Sequence, residues 1–196
     1  ANWDIASQVS INFLLTAEGD LLPGYTGLVN LNIGSLENSL YGFNLPIPIT
    51  VGLMVEDFEN GNFNSFNWLH EGSSDWFVTN VESYQGDFAA RSGEIGNGEF
   101  TSIKIEKNLP YSGEFSFRAK ISSQSGDALA FFVNGVQYGS DLTGILDWTE
   151  YSFEIDAGEK IFSWVYMKDQ FGSVGEDMAM IDWITFPAGA QPHIDY

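Results

Sequence analysis

The alternation of bulky apolar side chains near the C-terminus constrains this fold more than any other feature. In Gly158–Asp169, Phe162, Trp164 and Tyr166 alternate with Ile161, Ser163 and Val165. Successive side chains of a β-strand point to opposite faces, so the three aromatics share one face, as residues two apart on a helix do not. A glycine-rich gap leads to Gly175–Pro187, a second run of strand composition, in which Asp177 and Asp182 sit among apolar neighbours. A carboxylate in such a place needs a partner, because burying an unpaired charge is costly. Two long strands with apolar faces to cover require the upstream chain to supply the strands they pack against.

The upstream chain has the texture for it. Strand composition recurs over 52–58, 75–80, 87–92, 100–107, 113–122, 127–133, 149–155, 160–168 and 178–186, separated by glycine-containing turns. Asn134-Gly135, flanked by Phe131–Val133 and Val136–Tyr138, is a strong hairpin signal. This spacing, with no helical periodicity, predicts an all-β antiparallel β-sandwich or jelly roll over 51–187. Residues 8–17 and 28–33 read as two further strands. Within 34–52, Gly34–Gly42 has the composition of a helical turn and Pro46-Ile47-Pro48 is stiff and extended, and Leu45, Ile47 and Ile49 predict a linker lying on a domain surface. The expected organisation is 1–50 as terminal strands plus linker, 51–187 as the sandwich and 188–196 as a tail. Ala1–Ser7 reads as mid-domain sequence, so a fragment of a longer chain is expected.

The chemistry on offer is narrow. Seven basic residues face 27 acidic ones, a formal charge of −20. Such a surface repels nucleic acid and anionic membranes, and no apolar run has the length to insert in a bilayer. Cysteine is absent, which excludes disulfides and thiol chemistry. His70, read in a loop beside Glu71, and His193 in the tail lack the spacing of a zinc site. No nucleophile-elbow or phosphate-loop motif occurs. Glu154 and Asp182 are the only acids that loosely fit a glycosidase pair. The chain therefore reads as a module without catalysis of its own. Its partners are expected to be a glycan or a protein surface, with a structural spacer and a glycoside hydrolase as the alternatives. Of its aromatics, most belong in the core, and Trp68 is the first expected to stand exposed for a ligand. Glu56, Asp57 and Glu59 lie within four residues, while Asp177 and Asp182 lie at the far end of the domain. First and last strands of sandwiches often adjoin, so these five acids are candidate calcium ligands.

The order of Val55–Phe63, Trp76, Tyr84–Gly93, Gly113–Phe117, Leu129–Gly135, Trp164–Asp169 and Asp177–Pro187 resembles the jelly-roll modules of large secreted Bacteroidetes-type surface proteins. It is similar to the cleaved adhesin domains of gingipain-type peptidases, and more distantly to MAM and carbohydrate-binding jelly rolls, including concanavalin- and galactose-binding-like sandwiches. Residues 1–34 resemble the closing strands of an immunoglobulin-like module. The resemblance implies a secreted or cell-surface bacterial location and an accessory role in adhesion or substrate targeting, as in gingipain-type peptidases. It also implies structural calcium, held by the acid of the opening Phe-Glu motif and an acid of the closing strand. Here those positions are Glu59 and Asp182.

Overall fold

The computed structural model describes residues 26–34, 42–50 and 54–187. The strand expected over 8–17, the helical turn expected between Gly34 and Gly42, and the tail lie outside the described residues. Strands β1 (Thr26–Gly34) and β2 (Gly42–Thr50) pair antiparallel as a two-stranded ribbon. Pro46 and Pro48, expected in a linker, sit inside β2 opposite Asn30 and Leu28. Two prolines two residues apart lack their N–H groups on the same edge, and a ladder accepts this where that edge is the unpaired one. The period-two placement of the prolines is thus what lets this segment be a strand.

The sandwich contains β3 (Val55–Glu56), β4 (Trp68–Gly72), β5 (Phe77–Thr79), β6 (Ala89–Arg91), β7 (Phe100–Leu109), β8 (Gly113–Ser122), β9 (Ala128–Val133), β10 (Val136–Leu142), β11 (Ile145–Ile155), β12 (Gly158–Met167) and β13 (Met178–Thr185). One sheet has the order β10-β9-β12-β7-β4; the other has β11-β8-β13-β6-β5, with β3 also paired to β13. All pairings are antiparallel. All nine strands expected from 52 onwards are present. β4 was expected as a loop, so His70 is a strand residue. β9 and β10 turn at Asn134 and Gly135, whose φ angles of +51° and +79° suit a type I′ hairpin.

Period-two alternation places the core between the sheets. Phe162, Trp164 and Tyr166 of β12 are fully buried, as the alternation requires. Phe115 of the opposite sheet stacks on Phe162 at 4.3 Å between centroids, and Phe117 meets Trp164 edge-on at 5.4 Å. Phe131 and Ile184 belong to the same core. Trp68, expected to be exposed, is 8% exposed and stands 6.0 Å from Trp164, with its Nε1 donating to Glu56 Oε2 at 3.2 Å. The reason is parity: Trp68 pairs with Ile105 and His70 with Ile103, so both point inward, and the His70 ring lies edge-on to Phe63 at 5.1 Å.

Candidate functional site

The two outer faces of the sandwich differ in what covers them. On the six-stranded sheet, Met180 and Lys120 pair, as do Asp182 and Arg118, and all four point away from the core. The segment between β5 and β6, residues 80–88, crosses this face as a strap. Tyr84 of the strap lies 6.4 Å from Trp148, and the Arg118 guanidinium sits 4.5 Å from the Tyr84 ring centre. Lys120 ion-pairs with Glu82. Beside the strap, Ala89, Met178 and Met180 form a second buried cluster against Trp148. This face is closed by the chain itself.

Two carboxylates pin the strap. Asp182 Oδ2 accepts the Tyr84 and Gln85 N–H groups at 2.8 and 3.2 Å, and Oδ1 accepts Trp183 N–H at 2.7 Å. Trp183 has φ +48°, and the β13 register slips between Asp182 and Thr185. This bulge aims the Asp182 carboxylate at the strap. Glu59 Oε1 accepts Asp87 and Phe88 N–H at 2.9 and 3.0 Å. Gly86 has φ +76°, and a Cβ there would stand 2.3 Å from Glu59 Oε1, so only glycine lets the carboxylate come so close. Burial pushes the Asp182 carboxyl up to about 6; three backbone N–H donors oppose this, and the charge of Glu59 adds to it.

The structure therefore brings Glu59 and Asp182 to one strap and separates the other three expected ligands. Glu56 pairs with Ile184 and is buried between the sheets, on the opposite side of β13 from Asp182. There it accepts Phe58 N–H as well as the Trp68 indole, and burial raises its proton affinity. Asp57 accepts the nearby Glu59 N–H at 3.2 Å. Asp177 precedes β13 and is ion-paired with Lys168; it lies five residues, about 16 Å along a strand, from Asp182. Among the described residues, no three His, Asp or Glu side chains form a group that could hold a metal ion. Two mutually repelling carboxylates, one of them buried, suit a hard cation by charge, while backbone N–H groups already satisfy the same oxygens. Glu154 pairs with Glu114, four residues along β8 from the partner of Asp182. That offset is about 13 Å along the strand, and Asp182 lies beneath the strap, so the two acids share no cleft.

Among the described residues, no segment covers the outer face of the five-stranded sheet. Registers align Glu71, Ser102, Val165 and Ala130 in one row, and Leu69, Lys104, Ser163 and Phe132 in the next. Small side chains form the floor of a groove of about 350 Å³, walled by Phe100, Phe132 and Ile161. Phe100 is 45% exposed. The Lys104 ammonium pairs with Glu71 at that edge, so the two charges offset each other. Sequence reasoning missed this face. Its signal was Phe100, Ser102 and Lys104 in alternation with the buried Thr101, Ile103 and Ile105: a large aromatic on the polar parity.

No family model and no curated protein matches the sequence. Solved structures do match. The CBM22-1–CBM22-2 tandem domain of Paenibacillus barcinonensis Xyn10C has a TM-score of 0.51 at 17% identity, covering 72% of this chain and 46% of that one. The fold is that of the carbohydrate-binding and cleaved-adhesin jelly rolls. The CBM22-1 xylan-binding domain of the same Xyn10C gives a TM-score of 0.50 at 17% identity, over 70% of this chain and 95% of that chain. A cleaved adhesin domain of Lys-gingipain from Porphyromonas gingivalis gives 0.50 at 16% identity, over 70% and 98%. At such identities the likeness is one of fold.

Proposed function

We propose that this chain is a non-catalytic binding module of a secreted or cell-surface bacterial protein, and that it holds a neutral glycan on the outer face of its five-stranded sheet. The observation that carries this reading is the asymmetry of the two faces: the strap roofs one, while the other keeps an open groove with exposed apolar walls. Pyranose rings present apolar C–H faces, which stack on aromatic rings such as Phe100 and Phe132. On the floor, the Ser163 hydroxyl can donate and accept hydrogen bonds to sugar hydroxyls, whereas Ser102 is 1% exposed and its hydroxyl donates to the Glu71 carbonyl. The net charge of −20 and the Glu71–Lys104 pairing both disfavour anionic glycans. A structural calcium ion held by Glu59 and Asp182 belongs to the same reading, because it would relieve the repulsion between two acids that pin one strap. Calorimetric titration with xylo-, gluco- and galacto-oligosaccharides tests the function; xylan comes first because the Paenibacillus domain binds it. At least one series should bind, and Phe100→Ala should weaken it. Silence across the panel removes the glycan reading and leaves a protein surface or a spacer role.

A further inference from the structure

Lys168 and Asp177 flank the loop that carries the chain from β12 in one sheet to β13 in the other. The Lys168 side chain is 2% exposed, and its Nζ contacts Asp177 Oδ2 and Ser173 Oγ. Asp177 has φ +56°, a left-handed conformation that aspartate tolerates better than most residues. Behind the pair lies Asp127, fully buried, with Oδ1 accepting Asp169 N–H at 3.0 Å. Asp127 Oδ2, Asp177 Oδ1 and the Tyr166 hydroxyl are all buried without a hydrogen-bond partner, and the three groups lie together. Two such oxygens are satisfied when one proton lies between them, as in coupled carboxyl pairs. Burial raises the proton affinity of Asp127. Burial acts the same way on Asp177, but its hydrogen bonds to Lys168 and Ser173 outweigh it and hold Asp177 low.

We propose that Lys168 and Asp177 condense into an intramolecular amide, with Asp127 carrying the protons. Protonated Asp127 passes its proton to the Asp177 carboxylate and takes one from the Lys168 ammonium. This leaves a neutral amine facing a neutral acid. The Nζ lone pair attacks Asp177 Cγ to form the C–N bond, and the carboxyl hydroxyl leaves as water with a proton that Asp127 relays from Nζ. The balance is one ammonium and one carboxylate converted to one amide and one water, with Asp127 regenerated and no co-reactant. Removing both charges from a desolvated site favours the product, since buried ions keep a desolvation cost that their pairing need not repay. The bond is a staple between the two sheets in a chain without cysteine. It closes a ring around the loop that presents Phe171, which is 74% exposed.

Intact mass spectrometry of the folded chain tests this directly. The wild-type protein should be lighter than its sequence by one water, about 18 Da. Lys168→Ala and Asp177→Ala should each restore the sequence mass, and Asp127→Asn should leave most of the chain uncondensed. Peptide mapping should find one branched species joining the Lys168 and Asp177 peptides. A wild-type mass equal to the sequence mass after days in the folded state at neutral pH overturns the proposal. So does a water loss confined to one linear peptide, which would mark a succinimide. Both readings use the wild-type chain, so they stand even if a variant fails to fold.

Discussion

Asp182 offers the sharpest electrostatic test of the strap. Its carboxyl is pushed up to about 6 from an ordinary 3.8, chiefly by burial, with the charge of Glu59 adding to it. An acid whose proton affinity is higher folded than unfolded keeps an extra proton in the native state across that window. Stability from this group is therefore fully present below about pH 4 and is lost as pH rises through about 6. The gap of roughly two pH units corresponds to about 3 kcal/mol. Asp182→Asn removes the titrating group and keeps one oxygen for the Tyr84 and Gln85 N–H groups. Its amide nitrogen then faces Trp183 N–H, a loss of about 1 kcal/mol that does not vary with pH. Urea unfolding in EDTA between pH 4 and 7.5 should show the wild type losing up to about 3 kcal/mol relative to the variant as pH rises. Saturating calcium should abolish that loss, because an ion bound to the ionised carboxylate stabilises the folded state. A wild-type-to-variant difference that is the same at pH 4 and pH 7.5 would show that the Asp182 carboxyl has the same proton affinity folded and unfolded.

Three further outcomes follow from the packing and the strap. Trp164→Ala, which empties the space between Phe117, Phe131 and Trp68, should cost about 3–5 kcal/mol in urea unfolding. Gly86→Ala should release Glu59 from the strap, with new proteolytic cleavage within 80–88 while the core aromatics keep their near-ultraviolet signal. EDTA should lower the melting temperature by several degrees, and calcium should restore it where magnesium does not, since magnesium demands a tighter octahedral shell.

Much of the sandwich was legible because its code is local. Alternation in β12 and the Asn134-Gly135 turn each specify geometry within a few residues, and long-range pairing adds little to them. β4 was not legible: Trp68, His70 and Glu71 look like loop chemistry until the register with β7 places two of them inward. Among the acids, the sequence showed the clustering of Glu56, Asp57 and Glu59 at one end of the domain. It did not show which side of β3 each would face, and that parity separates Glu56 from Asp182. The role of Glu59 and Asp182 as clasps for residues 80–88 depends on a bulge at Trp183 and a glycine at 86, neither of which has a strong local signature. The open groove was hidden for a further reason. It is defined by what fails to cover it, and coverage is a property of the whole topology.

The open face of the five-stranded sheet is proposed to bind glycan, and the strapped face is not. The most direct measurement titrates one bound oligosaccharide against wild type, Phe100→Ala on the open face and Tyr84→Ala on the strapped face. Loss of a stacked aromatic should weaken binding by roughly 1–3 kcal/mol, on the scale of burying one large apolar side chain. That loss is expected for Phe100→Ala alone, with Tyr84→Ala indistinguishable from wild type. Weakened binding by Tyr84→Ala with Phe100→Ala unchanged would place the glycan on the strapped face instead.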